Sequence, residues 1–144
     1  MNTFRIEIAG EPIPKARARA KRFKGKIMHY DEQQQQKNYI SALLLQRICE
    51  HPKKRNLFDS ARILHVDMEF HLSYPKSFNK RRIIQYNEGS YLFASKPDID
   101  NLAKFYLDCC NKIVFDDDNK VVSLNLKKMY SEKAKTIIEI RSEE

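Results

Sequence analysis

Residues 63–72 place the tightest restriction on how this chain folds. Leu64, Val66, Met68, Phe70 and Leu72 alternate with His65, Asp67, Glu69 and His71. Side chains two apart share one face of a strand, so the segment reads as a half-buried strand with one apolar and one polar face. The two histidines and two acids share the polar face and could be mistaken for a metal site. Any solvent-facing strand looks the same, and they are read as surface.

Other segments carry their own periods. Phe4, Ile6 and Ile8 alternate in residues 3–8, predicting a strand that Gly10, Pro12 and Pro14 end. Residues 31–49 predict a helix, with Asp31 as a cap, Tyr39, Ile40, Leu43, Leu44 and Ile48 as an apolar stripe, and a glutamine run as helix surface. Residues 75–95 show no clear period and carry Lys76, Lys80, Arg81 and Arg82, so they read as an exposed, mobile basic loop. Leu102, Phe105, Tyr106, Cys109 and Ile113 recur at spacings of three and four, predicting a helix from about Asp100 to Asn111. A strand follows from Val121 to Tyr130. A last strand, Thr136–Arg141, is expected to form a hairpin with it. No repeat or linker divides the chain, and 144 residues suffice for one self-supporting core. The expected fold is a single α+β domain, residues 1–144, with a mixed β-sheet packed by two or three helices.

Composition narrows the partners. The net charge is +8, which attracts polyanions, nucleic acid the commonest. No apolar run approaches the roughly 20 residues that span a bilayer, and the N-terminus alternates rather than forming a leader. A cytoplasmic protein without a membrane partner is expected. Cys49, Cys109 and Cys110 are odd in number and form no C-x-x-C pair, which suggests buried thiols rather than a zinc site or disulfides.

The segment Lys96-Pro-Asp-Ile-Asp-Asn-Leu-Ala-Lys104 is the most informative. Just before a helix, Asp98 and Asp100 need not be helical, so their carboxylates can converge on one hard cation. Lys104 lies one turn after Asp100 and would face a phosphate there. Asp118 lies beyond the helix. A helix of about 12 residues climbs roughly 18 Å, and an extended return over 113–118 covers about 17–20 Å, so Asp118 could come back to the first two. Such a cluster suits phosphodiester hydrolysis with a carboxylate-held Mg²⁺. A capped helix end and a solvated acidic turn, Asp116–Asp118, are the plainer reading of the same residues. A calcium loop fits worse, because Leu102 and Ala103 stand where a ligand and the obligatory glycine belong.

Pro97-Asp-Ile-Asp-Asn-Leu-x-Lys104, then Leu107-Asp108, then Asp117-Asp118-x-x-Val121-Val122 closely resemble the RusA family of Holliday junction resolvases. Gly10-x-Pro12-x-Pro14-Lys15-x-Arg17-x-Arg19 is similar to family members from phages and prophages. The resemblance implies a RusA-like domain and a homodimer that nicks four-way DNA junctions symmetrically in recombination and repair. The cofactor it implies is Mg²⁺, with Mn²⁺ as a substitute, and no small-molecule cofactor. It makes Asp98, Asp100 and Asp118 the catalytic metal ligands and Lys104 the catalytic lysine. Asp117 competes with Asp118 for the third place. Many family members carry a glycine before the final acidic pair, where this chain has Asn111 and Lys112.

Lys15, Arg17, Arg19 and Lys21 would share one face of an extended segment, about 6.6–6.8 Å apart, which suits a phosphate backbone. Lys76, Lys80, Arg81 and Arg82 offer a second DNA-contacting patch. His29 and His51 have no partner visible in the sequence. Two other functions share these features: a basic nucleic-acid-binding protein without catalysis, and a nuclease of the same fold acting on flaps or other branched DNA.

Overall fold

The computed structural model describes residues 1–16, 19–30 and 33–144. Its centre is a four-stranded sheet of β1 (Thr3–Ala9), β4 (Ile63–Ser73), β5 (Val121–Ser131) and β6 (Lys135–Glu143). The strand order is β1-β6-β4-β5. β6 runs antiparallel to both neighbours, while β5 runs parallel to β4, so the sheet is mixed. β2 (Arg19–Phe23) and β3 (Lys26–Tyr30) form a separate hairpin. At its turn Lys24 and Gly25 both take positive φ, 48° and 74°. That left-handed pair matches the twist of two-residue hairpins, and glycine adopts it without a Cβ clash.

Two helices, α1 (Gln34–Glu50) and α3 (Ile99–Cys110), cover one face of the sheet. The alternation sets which face. Leu64, Val66, Met68, Phe70 and Leu72 of β4 are all buried, as are Phe4, Ile6 and Ile8 of β1 and Ile138 and Ile140 of β6. Ile40, Leu44 and Ile48 of α1 meet Leu102, Phe105, Tyr106 and Cys109 of α3 over them. Burying this apolar surface is the main force holding the layers together. The opposite sheet face carries ion pairs such as Arg141 to Asp67 at 2.9 Å and Lys135 to Glu7 at 3.0 Å. His65 of β4 bonds Ser123 of β5 and Glu143 of β6 and so ties three strands, while His71 bonds Glu69 of its own strand. α1 stops at His51, whose extended backbone is what a residue before proline prefers.

Two expectations need correction. β6 does not form a hairpin with β5; it inserts between β1 and β4. Thr136, Ile138 and Ile140 are buried, which suits a central strand, whereas Val122, Ser123, Leu124 and Asn125 of β5 stay exposed, which suits an edge. The basic segment 75–95 is not simply a loop, because it holds α2 (Lys80–Asn87). The Asn79 side chain accepts the backbone N–H of Arg82 at 2.9 Å and starts that helix. Two turns are too short to display a period. The cap expected at Asp31 lies outside the described residues, and α1 begins at Gln34.

The glutamine run also divides. Gln34, Gln35 and Gln36 are exposed, but Gln33 is buried. Its amide accepts from the Ala16 N–H and donates to the Pro14 carbonyl, both at 2.7 Å. Gln33 thereby ties the N-terminal segment to the start of α1.

Candidate active site

α3 is anchored by its buried side chains, which leaves the outer side of its first turns to solvent. Asp98, Asp100 and Lys104 lie there, all exposed. Asp98 occupies the position before the helix with extended backbone (φ −69°, ψ 140°), and its side chain makes no capping hydrogen bond. An aspartate at this position ordinarily accepts a backbone N–H of the first turn. Here only its carbonyl serves the helix, accepting from Leu102 N–H at 3.2 Å. Asp100 follows in the first turn, and Lys104 Nζ is 3.7 Å from its Oδ2. Two carboxylates and an ammonium thus share one exposed helix end.

The approach to Asp98 is held from the sheet. Lys128 donates from Nζ to the carbonyls of Ser95 at 2.6 Å and Pro97 at 2.9 Å. The Tyr130 hydroxyl accepts the Ser95 N–H at 2.9 Å. The Lys96–Pro97 peptide is cis. On the other side, the Lys15 N–H donates to the Asn101 carbonyl at 2.9 Å, and the Ile13 N–H to the Tyr106 hydroxyl at 3.0 Å. A groove between these segments is lined by Lys15, Lys96, Asp98 and Asn101, with Glu11 at its edge.

Asp118 is not in this cluster. Its N–H donates to the Asn111 side chain at 3.0 Å, and Asn111 is the residue that ends α3. The helix therefore separates Asp118 from Asp98 by about 20 Å. The extended return does not form, for a packing reason. Lys112 turns at φ 68°, Asn111 bridges to Phe115, and Val114 and Phe115 are buried in the core. The segment is held at the far end of the helix. Among the described residues no three His, Cys, Asp or Glu side chains gather as a metal site.

Asp117 and Asp118 differ in what they do. Asp117 accepts the Asn119 N–H at 3.0 Å and caps the short 3-10 turn Asp118–Lys120. That N–H, with help from Asp118, holds the Asp117 carboxyl below the usual carboxylate range. Asp117 is thus committed to its turn.

The profile of the family described as Endodeoxyribonuclease RusA matches residues 9–141. The chain belongs to the RusA endodeoxyribonuclease family. It is 28% identical over 138 residues to the "Crossover junction endodeoxyribonuclease rusA" of Lactococcus phage r1t, covering 95% of each protein. It is 26% identical over 145 residues to "Uncharacterized protein YqaN" of Bacillus subtilis (strain 168), covering 98% of this chain and 97% of that protein. Among the described residues no helix is long and apolar enough to cross a membrane.

Within this RusA-family domain the basic residues fall in three places. Lys15 pairs with Asp108 on α3, so its ammonium lies along the helix. Arg17 lies outside the described residues, and Arg19 and Lys21 fall on β2. Lys76, Lys80, Arg81 and Arg82 are exposed, the last three on α2. Sequence reasoning missed Lys128, which buttresses the acidic helix end. A signal for it exists: Leu124, Leu126, Lys128 and Tyr130 share one face, and a lysine in such a row needs a partner for its charge. Asn111 was missed as well. Its side chain accepts the Asp118 N–H, and the left-handed turn a glycine would take is made by Lys112.

Proposed function

We propose that this chain is a Mg²⁺-dependent endonuclease that cuts four-way DNA junctions by paired, symmetric nicks, acting as a homodimer in recombination and repair. The observation that carries the reading is the family match over residues 9–141 together with the paired carboxylates at the open end of α3. Asp98 and Asp100 would hold the metal, which suits Mg²⁺ because that ion takes one or two carboxylates and keeps several waters. Mn²⁺ accepts the same oxygen donors. The uncapped Asp98 carboxylate supports this, since it is spared from helix duty. When bound, the metal supplies a polarised phosphate and an activated water.

The chain's own groups do the rest. Lys104, beside Asp100, stabilises charge building on the phosphate oxygens. Lys128 fixes the carbonyls before Asp98 and so sets where that carboxylate stands. The basic residues of α2 and of the 15–21 segment hold the backbone.

Asp118 enters through the dimer. One chain leaves it about 20 Å from Asp98 along α3. A two-fold axis beside α3 sets two copies of the helix antiparallel, and each Asp118 then approaches the Asp98 and Asp100 of the other copy. Asp118 rather than Asp117 is the ligand, because Asp117 is engaged by the Asn119 N–H. A dimer also provides the two related sites that symmetric nicking needs.

The test is cleavage of a labelled four-way junction. Asp100→Asn is expected to bind the junction and to leave it uncut in Mg²⁺, and EDTA is expected to stop the natural protein in the same way. Full cleavage by Asp100→Asn would remove the assignment. Binding without any cleavage by the natural protein would leave a non-catalytic DNA-binding protein. Junction, flap and duplex compared at one fixed salt concentration separate junction cutting from other branched substrates.

A further inference from the structure

α2 and the strand ends of β4 and β5 enclose a cluster of six aromatic rings that the nuclease chemistry does not use. Phe78 meets Phe93 at 5.0 Å between centroids and Tyr91 at 5.9 Å, and Tyr130 meets Phe93 at 5.3 Å and Tyr86 at 5.7 Å. Tyr74 completes it against Phe78 and Tyr86. The cluster is not closed over. Tyr86, Tyr91, Phe93 and Tyr130 line an open groove, and Leu92, between two of the rings, is 88% exposed. One exposed leucine is ordinary; one set among aromatic rings at the mouth of a groove is an apolar tip.

Charge says what the groove receives. Among the described residues no acidic one lines it. Lys80, Arg81 and Arg82 stand exposed on α2, and the Arg82 guanidinium lies 3.9 Å from the Tyr91 ring centre. An apolar, aromatic floor with the Arg82 guanidinium on one of its rings suits a flat base whose backbone is anionic. Position agrees. The groove ends at Ala94, four residues before Asp98, so its edge lies within about 14 Å of the candidate metal ligand. That is about two nucleotides of extended strand.

We infer that this groove seats a base unstacked at the branch point of the junction, with Leu92 as the wedge that parts it from its neighbour. The inference rests on the proposed junction-cutting function and adds how the branch is recognised. Duplex arms hold their bases stacked and have none to offer. A branch point does, so the groove favours branched DNA while the basic residues hold any duplex.

The test uses the whole protein in EDTA with a four-way junction carrying 2-aminopurine at the branch point, or in one arm as control. The natural protein is expected to change the emission of the branch-point probe and to leave the arm probe unchanged. Leu92→Ser is expected to lose most of that change and to bind the junction roughly 5- to 100-fold more weakly. Its duplex affinity and the salt dependence of binding should stay as they were. Leu92 packs against little, so its replacement should leave the melting temperature in place. Tyr91→Ala should likewise lose the branch-point emission change, and Tyr91→Phe should keep it.

If the natural protein binds and cuts the junction but Leu92→Ser matches it in emission and affinity, the inference is overturned and the functional reading stands. A change in molar mass with Leu92→Ser, the probe signal intact, overturns it in favour of a contact between copies. Failure of the natural protein to bind any junction overturns the functional reading and the inference together.

Discussion

The separation of Asp118 from Asp98 makes a sharp prediction for mixed dimers. Within one chain the two lie about 20 Å apart, because α3 stands between them, whereas ligands of one Mg²⁺ lie about 2.0–2.1 Å from the ion. Val114 and Phe115, both buried, hold the segment before Asp118 at the far end of α3. In the proposed dimer each site draws Asp98 and Asp100 from one chain and Asp118 from the other. Asp100→Asn and Asp118→Asn homodimers are both expected to be inactive. When the two variants are refolded together at equal amounts, half of the dimers should be mixed. Each mixed dimer carries one doubly damaged site and one intact site. The mixture should therefore hold about a quarter of the intact sites of the same amount of natural protein. The assay is a supercoiled plasmid bearing an extruded cruciform. The mixture should give nicked circles at about a quarter of the natural rate, with few of the linear products that need two cuts on one junction. A mixture as inert as its parents would refute the shared site, as would activity in either homodimer alone.

Other perturbations probe the scaffold. Lys128→Met removes two hydrogen bonds from the carbonyls before Asp98, and cleavage should then need roughly tenfold more Mg²⁺, with Lys128→Arg recovering part of the loss. Unchanged Mg²⁺ dependence would take Lys128 out of the site. Lys112→Gly relieves a left-handed backbone and should raise the melting temperature by roughly 2–4 °C, for a gain of about 1 kcal/mol, by calorimetry. In a thiol titration at pH 8, one thiol, Cys49, should react in the native protein and all three after denaturation. Burial pushes the Cys109 thiol up to about 12 and raises Cys110 as well. Because those folded values exceed the unfolded value, stability is full below about pH 8.5 and falls as pH rises toward the folded value. A chemical-melt series from pH 8 to 10.5 should show that decline.

Much of the fold was legible locally. The alternation in residues 3–8 and 63–72 gave β1 and β4 with their buried faces, and the spacing of Leu102, Phe105, Tyr106 and Cys109 gave α3 within a residue or two. These patterns are readable because a strand or helix must put its apolar residues on one side whatever else the chain does. The pair Asp98 and Asp100 was legible too, since it stands next to the start of a helix, where spacing in sequence is nearly spacing in space.

What was not legible depended on partners far along the chain. Alternation told that residues 136–141 form a strand with a buried face, but not that it lies between β1 and β4. Pairing is chosen by which arrangement buries the most apolar surface, and β6 buries more there than beside the polar β5. The helix α2 shows no period, because it has only two turns and its one ring, Tyr86, packs against Tyr130 of β5. Asp118 is the clearest case. Chain length permitted its return to Asp98, and only the tertiary structure decided otherwise, by burying Val114 and Phe115 at the far end of α3. The sequence by itself determined the strands and helix next to which the candidate carboxylates Asp98 and Asp100 stand. The packed fold decided that one chain leaves the third carboxylate at the wrong end of its own helix, because core burial outweighs the reach of a six-residue return.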